Sequence, residues 1–200
     1  MVLVGIDRQG LGIGRRLMLA ALARLGPRAL MLNATPAGLA LYRRLGFHES
    51  GRIAQHQGIV AATGAFQAAP ARAVETLLIQ ALDADAFGAE RHGFYRQLAD
   101  FTAIQRPGIP GFALHRRFGR GALVGPVIAE TEADAIALIA ASLRPGFHRI
   151  DIPAEAAALA AWLTEAGLPQ VDFAITMTRG DWPAGTGTLQ RFALATQAQG

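Results

Sequence analysis

The chain has 200 residues, 52% of them hydrophobic, no cysteine, and a formal net charge of +4. That length holds one large domain or two small ones around a real core. The missing thiols exclude a disulfide framework, a cysteine nucleophile and the common zinc-ribbon sites, and no apolar run reaches the length of a membrane-spanning helix. All 19 basic side chains are arginine, dispersed along the chain with three adjacent pairs (Arg15-Arg16, Arg43-Arg44, Arg116-Arg117) and no interleaved aromatic motif, which argues against nucleic acid as a partner. The expectation is a soluble, cytoplasmic protein with no membrane partner and no structural metal.

Met1 to Ile6 is a β-branched and aliphatic run that ends in Asp7-Arg8-Gln9-Gly10, so it reads as a strand entering a glycine-rich turn. Leu17, Met18, Ala21, Leu22 and Leu25 recur at helical spacing, predicting a helix over 14–25 that Gly26-Pro27 stops. A strand over 28–34, a helix over 36–45 closed by Gly46, and a strand from Phe47 follow. This order predicts neighbouring parallel strands with a right-handed crossover. From about Gly58 to Ala73 periodicity fades into a linker.

Beyond it, 74–82 is apolar and 83–101 suits a helix. Strands are predicted over 111–117 and 122–128 around the turn Gly119-Arg120-Gly121. A helix over 131–143 starts at Thr131 with Asp134 three residues on, an approximate capping arrangement. A strand over 147–152, a helix over 154–166 capped by Gly167 and a strand over 171–178 complete the pattern, leaving 181–200 as a poorly ordered tail. Elements of the second half repeat those of the first at an offset near 120 residues, which predicts two related units in tandem. The units span 1–58 and 74–180, with 59–73 as linker, and the second unit is expected to fold on its own.

Gln9-Gly10-Leu11-Gly12-Ile13-Gly14 stands between a predicted strand and a predicted helix. Backbone N–H groups at such a helix start make an anion site, which Arg15 and Arg16 reinforce. A dinucleotide fingerprint is disfavoured, because Asn33 stands where the acidic residue belongs. His48 and His56 could serve as a general base, yet a histidine after a strand is more often a surface residue, and His92, His115 and His148 are too scattered for a metal set. Asp7 is the only acid near the first strand and reads as a turn cap.

Gln9, Gly12 and Gly14, followed by Leu32-Asn33-Ala34-Thr35 and Leu41-Tyr42-Arg43-Arg44-Leu45-Gly46-Phe47, resemble motifs A and B of the GNAT N-acetyltransferases. Residues 86–91, 124–126, 151–153 and 177–180 resemble more loosely the C-terminal domain of two-domain members. The resemblance implies a GNAT-like α/β (α+β) mixed sheet with flanking helices, in two tandem units. It implies acetyl-CoA as co-substrate, with Gln9, Gly10, Leu11, Gly12, Ile13, Gly14, Arg15 and Asn33 binding it. Tyr42 matches the family's frequent general acid, and the acceptor would be an amine attacking directly. Against the family's pattern the first unit lacks its leading strands and helices, so it resembles an N-terminally truncated domain. Glu130 and Glu132 replace glycines in the second unit, which is expected to bind no cofactor. The alternative is a catalytically inactive acyl-CoA-binding or interaction module, and self-association into a homodimer stays open.

Overall fold

The computed structural model describes residues 2–61, 75–98, 100–183 and 185–198. In chain order its elements are α1 (Ile13–Leu25), β1 (Leu30–Ala34), α2 (Leu39–Arg44), β2 (His48–Val60), α3 (Thr76–Phe87), α4 (His92–Gln97), β3 (Phe101–Ile104), β4 (Gly111–Phe118), β5 (Gly121–Ala129), α5 (Glu132–Ser142), β6 (Gly146–Pro153), α6 (Ala157–Glu165), β7 (Gln170–Arg179) and β8 (Gln190–Ala193). The strands form one mixed sheet in the order β1-β7-β2-β6-β5-β4-β3, with β8 paired to β5. The expected α/β class with flanking helices is what the chain adopts. Beyond Ala61 the expected linker lies outside the described residues.

The strands of the two halves are interleaved. β1 is antiparallel to β7, and β7 to β2, which in turn runs antiparallel to β6. The offset near 120 residues equates β1 with β6 and β2 with β7. Each unit therefore places its last strand between two strands of the other, and the order β1-β7-β2-β6 reads the same from either end. The parallel crossover expected in the first half is thus replaced by an antiparallel insertion. Parallel pairing occurs instead between β5 and β6, at Ala122↔His148 and Leu123↔Arg149, with α5 as the crossover.

Other expectations also need correction. Val2–Gly5 carries no strand pairing and Ile6–Arg8 is a single 3-10 turn, and among the described residues β1 has β7 as its one sheet neighbour. The helix expected over 83–101 is two helices and a strand. Gly88 turns left-handed at φ 78° and ends α3 there, and Phe101–Ile104 pairs with β4. The expected tail contains β8, and Phe192 to Thr196 are buried. Their apolar run Phe192-Ala193-Leu194-Ala195 was the available strand signal, overshadowed by the glycines before it.

Among the described residues three apolar clusters hold the sheet. One joins α5 and α6 to β5, β6 and β2 through Leu138, Ile139, Leu159, Leu163, Ile150 and Ala54. A second lies under α3 and α4. The third packs α1 and α2 on β1 and β7 through Met18, Phe47, Ala34, Ile175 and Met177. In the second cluster Arg91 forks onto buried Asp83 (Nε to Oδ2 2.8 Å, Nη2 to Oδ1 2.6 Å) and lies 4.0 Å over the Phe87 ring. Arg191 of β8 stacks on the same ring at 5.2 Å. Burial, with Arg91 beside it, pushes its guanidinium down to about 10, which Asp83 opposes.

His56 is buried, contrary to its surface reading, with Nδ1 2.8 Å from the Leu168 carbonyl. His115 and His148 sit with ring centroids 5.7 Å apart, and neither Nε2 has a hydrogen-bond partner among the described residues. Burial first, then His148 and Arg144, push His115 below the usual histidine range. Burial and Arg144 do the same to His148, against the Gly146 carbonyl bond. The unfolded chain therefore binds protons that the native state refuses, and stability falls as pH drops below the unfolded value. The urea midpoint should decline from about pH 7 to about pH 5.5, and His115→Leu should flatten that decline. An equal decline in the variant would assign it to other groups.

Candidate active site

The glycine loop is built by backbone geometry that side chains resist. Gly10 and Gly12 have φ of 79° and 72°, and Gly12 is the N-cap of α1 with no side-chain cap. A Cβ at either position would meet nothing within 4 Å, so the loop's outer side is open. At Gly14 a Cβ would meet Leu41 at 3.6 Å and Val4 at 3.7 Å, ordinary contact distances that place α1 against α2 and the N-terminal segment. The first-turn amides of α1 have no acceptor within the helix. No acidic residue occupies that turn, and Arg15 and Arg16 follow. The result is an open, donor-rich and cation-flanked loop suited to phosphate.

Gln9, expected at the cofactor, braces the loop. Its Nε2 donates to the Val4 carbonyl (3.3 Å) and closes the loop onto the segment before it. Asp7 pairs with Arg8 at 3.3 Å on the surface, a contact worth little.

Tyr42 lies on α2, half-buried, with its ring edge-on to Phe47 at 6.0 Å. Gly38 makes this placement possible, because a Cβ there would stand 2.9 Å from Tyr42 Cε2. Asn33 lies on the opposite face of β1 from Leu32 and Ala34, which pack toward α1 and α2. Its Nδ2 donates to the Gln197 carbonyl (2.9 Å), and its Oδ1 accepts from Thr176 Oγ1 (2.8 Å). Reading the sequence missed both partners, since each is more than a hundred residues away. Among the described residues β1 is the sheet edge, so half of its backbone donors and acceptors face outward, with no strand partner among those residues, toward where an extended ligand could pair.

The corresponding place in the second unit is filled and oppositely charged. Beyond their two parallel pairs, β5 and β6 part, and β8 enters the opening. It pairs with β5 at Val127↔Ala193, Ile128↔Arg191 and Ala129↔Gln190, while Leu194 N donates to the Asp151 carbonyl of β6 (2.8 Å). A Cβ on Gly125 would stand 2.0 Å from the Leu194 carbonyl. Gly125→Ala should therefore cost at least about 3 kcal/mol in urea unfolding, and an undiminished stability would mean that β8 is not seated there. At the mouth, Glu130, Glu132 and Glu155 line a groove of ≈ 870 Å³. Glu130 accepts from Thr188 Oγ1 (2.5 Å), and Glu132 caps α6 by accepting from Leu159 N (2.8 Å). Leu163, at or beside the position expected to match Tyr42, is fully buried. Among the described residues no group of three or more His, Asp or Glu could hold a metal ion, and no helix is long and apolar enough to cross a membrane.

A sequence profile described as an acetyltransferase (GNAT) domain matches residues 79–189, and another of the same description matches residues 1–63. The chain belongs to the GNAT acetyltransferase family, whose members generally use acetyl-CoA. A Bacillus subtilis (strain 168) protein, described as the uncharacterised N-acetyltransferase YitH, is 29% identical over 190 residues, covering 86% of this chain and 66% of its own. The chain thus spans about two thirds of that relative. Among solved structures, a putative acetyltransferase from Pyrococcus horikoshii superposes with a TM-score of 0.73 at 20% identity, over 98% of this chain and 69% of the other. GCN5-related N-acetyltransferases from Sphaerobacter thermophilus and Kribbella flavida give 0.56 and 0.55, at 15% and 18% identity. They cover 92% and 90% of this chain, and 73% and 51% of their own. These superpositions agree with the fold.

Proposed function

We propose that the chain is an N-acetyltransferase that uses acetyl-CoA and an amine acceptor. The first unit, residues 1–58, carries the chemistry, and the second, 74–180, binds no cofactor. The observation that carries this reading is the pair of left-handed glycines, Gly10 and Gly12, opening onto empty space at the start of α1. In this reading the amides of Leu11 to Arg15 hold the pyrophosphate. The outward backbone of β1, including Asn33, pairs with the pantetheine amides. Acetyl-CoA supplies an activated thioester that an amine attacks directly, so no enzyme nucleophile is needed. Tyr42 gives its hydroxyl proton to the departing thiolate. The protein works in the cytoplasm.

The test is thermal and calorimetric titration with acetyl-CoA, which should stabilise the chain by roughly 2.7 kcal/mol at a hundred times the dissociation constant. Gly12→Glu should abolish this shift by setting a carboxylate against the pyrophosphate. Because any side chain is strained at φ 72°, Gly12→Ala is the control for strain alone and should keep partial binding. A ligand shift that survives in Gly12→Glu would remove the loop from the site.

A further inference from the structure

The last described segment crosses the sheet face opposite α1 and α2 and ends against Asn33. Arg116 Nη2 donates to the Ala195 carbonyl (2.9 Å), and Leu194 N to the Asp151 carbonyl (2.8 Å). Gln197 then uses three of its polar groups. Its carbonyl accepts from Asn33 Nδ2 on β1, its Nε2 donates to Gln55 Oε1 on β2 (3.3 Å), and its backbone N–H bonds the Asp151 carboxylate on β6. That carboxylate is itself gripped by Arg149 (Nε to Oδ1 3.0 Å, Nη2 to Oδ2 2.9 Å). One residue thus ties three strands from both units at the edge strand of the proposed cleft.

The two faces of β1 are unequal. Leu32 and Ala34 face the cluster formed with α1 and α2, and Ala34 and Phe47 are buried there. A nucleophile cannot approach through that packed layer. It must come from the other face, where Asn33, Thr176 and Gln197 stand. Any acyl group longer than acetyl must extend into the same space, because the helices close the alternative.

Resting on the reading under Proposed function, we propose that Leu194–Ala198 walls the acceptor side of the cofactor cleft and that Gln197 sets the size of the group admitted there. Gln197 is a positioning residue that acts by filling this space and by holding the Asn33 carboxamide between itself and Thr176.

The experiment is calorimetric titration of the full chain, of Gln197→Ala and of a chain ending at Thr196, with acetyl-CoA and hexanoyl-CoA as probes. Gln197→Ala keeps the main-chain bonds and decides the matter alone if the shortened chain does not fold. The full chain should prefer acetyl-CoA by about tenfold or more, and the variants should narrow the preference to about twofold with acetyl-CoA affinity preserved. An unchanged preference in a folded variant, with acetyl-CoA still bound, overturns the wall and leaves the cofactor cleft standing. Failure of the full chain to bind acetyl-CoA at all overturns the cleft itself, and the wall with it.

Discussion

A chain beginning at Glu75 should fail to show a cooperative unfolding transition on its own, and should recover one when residues 2–61 are supplied as a second polypeptide. The tandem pattern suggested the opposite, that the second unit folds alone. The reason for the reversal lies in β2. It pairs with β6 along Ile53–Val60 and with β7 along His48–His56, so it is the inner strand that joins them. Its Ala54 and Val60 belong to the apolar cluster under α5 and α6. At Gly58 the backbones approach so closely that a Cβ would lie 2.0 Å from the Gly167 carbonyl. Without β2, two central strands expose unpaired edges, and an inner wall of the core is missing. Circular dichroism and urea titration of the fragment decide this; a sharp transition with unaltered midpoint would show that the interleaving contributes little.

Tyr42→Phe should lower the single-turnover rate of acetyl transfer by about 10² to 10⁴, the usual contribution of a general acid, with an amine acceptor that the chain acetylates. The ring keeps its edge contact with Phe47 and its place over Gly38. Packing and acetyl-CoA affinity should therefore change little. Steady-state rates could conceal the effect where product release is slow, which is why single-turnover measurement is specified. A Phe variant with the parental single-turnover rate would return Tyr42 to a packing role.

How much was legible in the sequence follows from how local each signal is. The glycine loop, α1 and the capped α5 were readable because glycine spacing, helical periodicity and the Thr131–Asp134 pair act within a turn or two. In the structure Asp134 N donates to Thr131 Oγ1 at 3.1 Å. Strand existence was likewise legible for β1, β4, β5, β6 and β7. Strand partnership was not, because Leu30 pairs with Arg179 and nothing in either segment names the other. The same holds for Asn33, whose motif position was visible while Thr176 and Gln197 were not. His56 was misjudged because its burial depends on the Leu168 carbonyl lying opposite.

The exchange of strands also sets the order of events during synthesis. β1 and β2 leave the ribosome roughly a hundred residues before β7 exists to separate them, which at about 5–20 residues per second is a wait of several seconds or more. During that interval the two strands present bare edges, and the glycine loop has no finished sheet to stand on. Loop closure over such a span is slow relative to hairpin formation. The nascent protein should therefore depend on chaperone shelter until Arg179 has emerged, and ligand affinity should arise late, in a single step, when the last long strand slots home.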